Sequence, residues 1–258
     1  MSLTDARAIT MHRSGSGPPV VLVHCLGVDH RFWDFAVPLG GIFTLLRYDL
    51  PGHGATPVPS QPYGIQDLSK QLAGLFRQHD LSHAHLVGIS LGGLIAQHFA
   101  ATWPGLVDRL VLVDTTPRYT DEMRRMWAER AATARTAGVP ALIEGLLKIW
   151  FTPDFVAQDA PAVRYVRETL QRTSGEGYAL ACEALADADL RRSASQIAAP
   201  TLVVCGDDDI PSFLDAARWL AENIRGAELA WIKGARHASV LEKPQEAVRV
   251  IGEFLTAE

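Results

Sequence analysis

The pattern Gly88-Ile89-Ser90-Leu91-Gly92 stands directly after an apolar run, His85 to Ile89, and directly before a run of helical character, Leu91 to Ala101. A serine on such a sharp strand-to-helix turn presents its hydroxyl at the tip. The strand and helix backbones then approach so closely that only small residues fit two positions to either side. Gly88 and Gly92 meet that requirement. The turn also sets Ser90 at the amino end of a helix, where the dipole and free amides favour an oxyanion. A glycine-rich turn with a helix-capping serine has the same local spelling; the flanking strand and helix favour the nucleophile.

A serine hydroxyl is a poor nucleophile until a base takes its proton, so a histidine held by a carboxylate is expected downstream. Of nine histidines, His237 is the best placed, because it follows the last strand pattern, Glu228 to Lys233, in a short loop before the helix opened by Pro244. His12, His30, His79, His83 and His85 lack that position, the last two bracketing a strand start, and His98 lies inside the helix after the serine. The acid should end the preceding strand, where Gly206-Asp207-Asp208-Asp209 follows the run Thr201 to Cys205. Spacing does not choose among the three aspartates, and Asp114, closing an earlier strand, is a fourth candidate.

Acyl chemistry at a serine needs two backbone amides for the oxyanion, one after the nucleophile and one from the loop following an early central strand. Leu91 and Leu26 hold those places, with Gly27 letting the second loop fold back. Cys25 then lies beside the centre, as a reactive thiol or as a small side chain filling the slot beneath the loop.

These residues need a frame, and the apolar runs supply one. Val20 to Val23, Leu110 to Val113 and Thr201 to Val204 are apolar on nearly every residue, as strands covered on both faces are. Strands are expected near 7–12, 19–24, 43–49, 84–89, 108–114, 200–206 and 227–232. Helical spacing marks Ile65, Leu68, Leu72, Leu75 and Phe76, and again Val248, Ile251 and Leu255. Alternation of this kind predicts an α/β fold with a mostly parallel central sheet flanked by helices. After Asp114 about eighty residues pass before the next strand pattern, rich in Ala and Leu, with helix candidates Glu122–Arg135 and Pro140–Trp150. An insertion of this kind caps the site at the carboxyl ends of the strands. The expected division is a core of residues 1–116 and 196–258 and a helical cap of 117–195.

The chain of 258 residues, 48% hydrophobic and 21% charged, has the composition of a globular protein. A net charge of -5 gives no general reason to bind nucleic acid or an anionic membrane. No run approaches the roughly 18 apolar residues of a membrane span, and the polar start, Met1 to Arg13, has no secretory core, so a cytoplasmic protein is expected. Three cysteines without CxxC spacing point to neither a disulfide framework nor a zinc site, and no metal or organic cofactor is expected. Residues 117–195 carry eleven basic and eleven acidic side chains, so the core holds the whole negative balance.

The serine turn, Arg47-Tyr48-Asp49-Leu50-Pro51-Gly52-His53-Gly54, the Gly206 to Asp209 turn and Gly234-Ala235-Arg236-His237 together resemble the serine α/β-hydrolases over nearly the whole chain. Their order Ser, Asp, His matches that fold. The resemblance implies that the acid stands three residues after the turn glycine, which selects Asp209 and leaves Asp207 and Asp208 to the turn and surface. It also implies a scaffold role for His53. Within that family the insertion is similar to the 3-oxoadipate enol-lactonases, in Ala134 to Gly138, Trp150 to Phe155, Glu176-Gly177-Tyr178 with Cys182-Glu183-Ala184, and Ala188 to Arg191. Cys25 departs from the glycine or asparagine usual there, and Pro211 comes early.

The resemblance implies a serine hydrolase opening a small carboxylated lactone, a step of the β-ketoadipate route of aromatic catabolism. A pocket for that substrate presents a fixed cation and hydrophobic walls. Trp127 and Arg130, three apart on one helix face, are the candidate substrate contacts, followed by Trp150 and Arg135. Taken singly, they also fit a core tryptophan and a solvated arginine. Residues 117–150 carry six basic against four acidic side chains, a local bias suited to an anion. The alternatives are a general carboxylesterase or carbon-carbon bond hydrolase on the same triad, and a ligand-sensing binding protein. Serine at the turn argues against a haloalkane dehalogenase, which uses aspartate there.

Overall fold

Val20–Val23, Leu110–Val113 and Leu202–Val204 have no side chain more than 4% exposed, which a sheet covered on both faces requires. In the computed structural model, which describes residues 9–257, these runs are central strands of one seven-stranded sheet. The strands are β1 (Met11–Gly15), β2 (Pro19–Val23), β3 (Thr44–Tyr48), β4 (Ala84–Ile89), β5 (Val107–Val113), β6 (Thr201–Gly206) and β7 (Glu228–Ile232). Their order is β1-β3-β2-β4-β5-β6-β7. Only β1 runs antiparallel, against β3, and every other pairing is parallel. The chain thus has the alpha/beta hydrolase fold. The first strand sits a few residues later than its expected 7–12, of which residues 7 and 8 lie outside the described residues, as does most of the polar N-terminal stretch.

A 3-10 segment, His30–Gly41, for which no element was expected, joins β2 to β3. Helix α1 (Ile65–Gln78) precedes β4, and its Asp67 accepts from the Gly64 N–H at 3.1 Å, closing the first turn. Helix α2 (Leu91–Thr102) springs directly from Ser90 and lies against β4 and β5.

Between β5 and β6 the chain is helical: α3 (Asp121–Ala137), α4 (Ile143–Trp150), α5 (Pro153–Ala157), α6 (Pro161–Arg172), α7 (Gly175–Asp187) and α8 (Arg191–Ala194). The second helix candidate, Pro140–Trp150, opens instead as a 3-10 turn over Val139–Leu142, and the α-helix starts only at Ile143. Thr120 caps α3 by accepting from the Met123 N–H at 3.2 Å. The two ends of the stretch meet, since Arg118 bridges Asp189 and the Leu190 N–H donates to the Pro117 carbonyl at 2.8 Å. Helix α7 reaches the core at a pair of glycines. A Cβ on Gly52, whose φ is +77°, would lie 2.7 Å from the Gly177 Cα, so neither position has room for a side chain. Helices α9 (Pro211–Asn223), α10 (Ser239–Glu242) and α11 (Pro244–Thr256) complete the chain.

Candidate active site

Ser90 occupies φ 51° and ψ -112°, a conformation that costs energy and persists only where its surroundings impose it. They do so through three hydrogen bonds: Ser90 N–H to the Val113 carbonyl at 3.0 Å, Leu94 N–H to the Ser90 carbonyl at 3.1 Å, and Thr115 Oγ1 to that same carbonyl at 2.8 Å. The glycines on either side act through space. A Cβ on Gly88 would run into the Gly92 carbonyl, and one on Gly92 into the Val23 carbonyl of the neighbouring strand.

The turn aims Ser90 at His237, whose Nε2 lies 3.1 Å from the serine Oγ, while its Nδ1 lies 2.9 Å from Asp209 Oδ2. All three side chains are buried. An imidazole bonded to a carboxylate on one nitrogen and to a hydroxyl on the other can take the hydroxyl's proton. Burial by itself disfavours the imidazolium, but the Asp209 carboxylate, with Asp114 behind it, outweighs that and raises the His237 pKa above 6.5.

The other carboxylates are placed elsewhere. Asp207 accepts from the Gly234 N–H at 2.7 Å, and Asp208 pairs with Arg236 at 3.2 Å. Asp114, fully buried at φ 40°, touches no histidine. It accepts from the Gly206 N–H at 3.0 Å, the Ser239 N–H at 3.1 Å and the Ser239 hydroxyl at 2.7 Å. One side chain therefore ties the turn that carries Asp209 to the loop that carries His237. Burial, opposed by the His237 charge and reinforced by Asp209, pushes the Asp114 carboxyl up to about 7.

Leu91 opens α2, and Leu26 lines the cavity beside Ser90. The loop bearing Leu26 is held by His24, a residue to which the sequence reading assigned no role. The Leu50 N–H donates to its Nε2 at 2.9 Å, which puts the proton on Nδ1, donated in turn to the Cys25 carbonyl at 2.7 Å. Cys25 is buried and burial pushes its thiol up, so it is a packing residue and no ready nucleophile. Burial pulls His53 down to about 4, and its Nδ1 binds the Pro51 carbonyl at 3.0 Å.

The cavity over Ser90 and His237 is walled by Met123, Met126, Trp127 and Arg130 of α3, Leu146, Ile149 and Trp150 of α4, and Tyr178 of α7, with Ile210 and Phe213 closing the far side. Trp127, Arg130 and Trp150 are thus brought together with the serine. The Arg130 guanidinium stacks over the Trp127 ring at 4.9 Å. Arg118, Arg124 and Arg135 are paired with carboxylates, whereas Arg130 has no such partner among the described residues. Arg135 lies outside the cavity, held by Glu176 and Glu183 at 2.8 and 2.5 Å. Its charge is neutralised there, which removes it as a substrate contact. Sequence reading also missed Glu242, a buried carboxylate that accepts from the N–H groups of Thr152 and Arg236, each at 3.1 Å, and from the Thr152 hydroxyl. A glutamate in a four-residue helix carries no signal of such a tie.

Among the described residues, two groups bring metal-ligand atoms within 4.8 Å of one another, His12 with His30 and Asp49, and Asp114 with Cys205 and Asp209. Their carboxylates are already engaged: Asp49 accepts from His30, and Asp114 and Asp209 as described.

Residues 20–250 match the family described as the alpha/beta hydrolase family. The chain is 30% identical over 229 residues to 3-oxoadipate enol-lactonase 2 of Acinetobacter baylyi, covering 88% of this chain and 85% of that one. It is 34% identical over 253 residues to a pimeloyl-[acyl-carrier protein] methyl ester esterase of Chromobacterium violaceum, covering 95% and 96%. Among solved structures, the enol-lactonase from Burkholderia xenovorans LB400 superposes with a TM-score of 0.92 at 33% identity, covering 96% of each chain.

Proposed function

The chain belongs to the alpha/beta hydrolase family, and on that premise we propose that it opens a small carboxylated enol-lactone through a Ser90 acyl-enzyme. The observation that carries this reading is the buried hydrogen-bonded series Ser90, His237, Asp209 at the floor of the cavity. Ser90 Oγ attacks the lactone carbonyl while His237 Nε2 takes its proton, and Asp209 orients the imidazole and offsets its charge. The Leu26 and Leu91 amides hold the oxyanion. Collapse breaks the ring C–O bond and expels an enolate. It recovers the proton from His237 and tautomerises to a ketone. Water, deprotonated by His237, then attacks the acyl carbon and releases the acid and Ser90. No cofactor enters these steps. The helical stretch, residues 117–195, serves as the cap over a core of 1–116 and 196–258, and Arg130 with Trp127 and Trp150 receives the substrate carboxylate.

The similarity to enol-lactonases in sequence and in structure supports the substrate class. A general carboxylesterase is the second reading, supported by the apolar wall of Met123, Met126, Leu146 and Ile149 and by the 34% identity to a methyl ester esterase. No described helix is long and apolar enough to cross a membrane, and action in the cytoplasm is part of the proposal. The deciding experiment compares turnover of a carboxylated enol-lactone, p-nitrophenyl esters and a carbon-carbon bond hydrolase substrate. Highest kcat/KM on the lactone supports the first reading; esters cleaved with the lactone untouched support the second.

A further inference from the structure

His237 stands well past the end of β7 at Ile232, so strand register alone does not fix its imidazole. That ring must reach Ser90 at 3.1 Å and Asp209 at 2.9 Å together. Its loop is gripped from two sides. Asp114 holds Ser239 from the sheet, and the end of α4 holds Arg236 and Ala238. The last carbonyls of an α-helix have no partner within it. In α4 two of them are taken by the residues on either side of His237: the Trp150 carbonyl accepts from the Ala238 N–H at 2.9 Å, and the Lys148 carbonyl from the Arg236 guanidinium at 2.8 Å.

A third tie runs through Glu242. Its Oε2 accepts from the Arg236 N–H at 3.1 Å, and its Oε1 from the Thr152 N–H at 3.1 Å and from the Thr152 hydroxyl. Glu242 is buried, and no cation pairs with it among the described residues, the Arg236 guanidinium turning to Asp208 instead. A buried carboxylate in that position is costly and persists only where hydrogen bonds compensate. What it supplies is two oxygens that accept along several directions at once, which no neutral side chain of that length does.

We propose that Glu242 and Thr152 are positioning residues for His237: they lock the end of α4 to the loop of the base, so that the imidazole is aimed by the inserted helices as well as by the sheet. The inference rests on the reading of His237 as general base and adds the groups that aim it. Trp150 extends the tie to the cavity, because its carbonyl holds Ala238 while its ring forms part of the wall.

The test compares Thr152→Val, Thr152→Ser and Glu242→Gln with the parent on p-nitrophenyl acetate. Thr152→Val keeps the shape and removes the hydroxyl, Thr152→Ser keeps the hydroxyl, and Glu242→Gln leaves one oxygen where there were two. A misplacement of about 1 Å costs about a hundredfold, so Glu242→Gln should lower kcat by about that factor and Thr152→Val by about tenfold, with Thr152→Ser near the parent. Acylation and deacylation both use the base, so kcat and kcat/KM should fall together and KM hold within about twofold. A proton held between His237 Nδ1 and Asp209 resonates far downfield of the amides, and that signal should move or broaden in Thr152→Val and return in Thr152→Ser. A tie that only held the fold would lower the melting temperature and leave kcat and the resonance unchanged in the folded variants, which overturns the proposal. So does a loss in KM alone. If Glu242→Gln does not fold, the Thr152 pair decides. If the parent cleaves no ester or lactone, the hydrolase reading fails, and the resonance alone judges whether Thr152 and Glu242 aim the ring.

Discussion

The strand-end half of the site and its helical half are held by different physics. Ser90, Asp209 and His237 follow β4, β6 and β7, where parallel hydrogen-bonding fixes each backbone against its neighbour and close approaches such as Gly88 to Gly92 leave no freedom. Trp127, Arg130, Trp150 and Tyr178 come from α3, α4 and α7, whose placement depends on side-chain packing and on a few ties to the core. The Ala238 N–H donates to the Trp150 carbonyl at 2.9 Å, Glu242 binds both Thr152 and Arg236, and the Thr173 hydroxyl donates to the Gly27 carbonyl at 2.9 Å. The lesson is a division of labour: backbone register sets the candidate triad, and helix packing sets the cavity above it. Substitutions should split along the same line.

The largest effect belongs to Ser90→Ala. Groups that act as a unit lose nearly everything together, so kcat should fall by about a millionfold while the melting temperature is retained. A variant keeping a tenth of the activity would remove Ser90 from the mechanism. Asp209→Asn should follow, with a loss of about ten-thousandfold in kcat as the imidazole loses its orienting charge. Asp207→Asn and Asp208→Asn should stay near parental rates. Asp114→Asn separates holding from acting. It leaves the Gly206 and Ser239 donors without a charged acceptor, so thermal melting should fall clearly while kcat falls far less than in Asp209→Asn. The reverse ranking would move the acid to β5.

In the helical half, Arg130→Ala should cost about 1.5–3 kcal/mol of kcat/KM on a carboxylated enol-lactone and leave an uncharged ester of similar size nearly untouched. Equal losses on both would reduce Arg130 to a support of the helices.

The smallest effect is a displacement on the pH axis. His237 must be neutral to act as base, and its pKa is raised, so kcat/KM should fall as pH drops, with the midpoint above the ordinary 6.5. Asp114 contributes part of that rise, and in Asp114→Asn the midpoint should move down toward 6.5. Rates that stay flat down to pH 4 would exclude His237 as the base.

Much of this architecture was legible along the chain because its determinants are local. A run buried on both faces must be apolar throughout, and a turn that brings two backbones into contact must have glycines two places to either side of Ser90. The order of serine, acid turn and histidine loop follows from those runs and turns. Spacing could not choose Asp209 from its two neighbours or from Asp114. That choice lies in the direction each carboxylate takes from its backbone, which only the packing of the Asp209 turn against the His237 loop decides. His24 and Glu242 escaped for the same reason. Their partners stand far along the chain, as with His24 and Leu50 or Glu242 and Thr152. Arg130, a candidate by its helix face alone, is set apart from Arg124 and Arg135 only once α7 has paired those two with its carboxylates. The sequence by itself therefore determined the sheet, the turns and the place of the candidate nucleophile, all set by neighbours in the chain. The tertiary structure alone decided which acid meets the histidine and which cation is left facing the serine, since both depend on contacts between segments that the chain brings together only by folding.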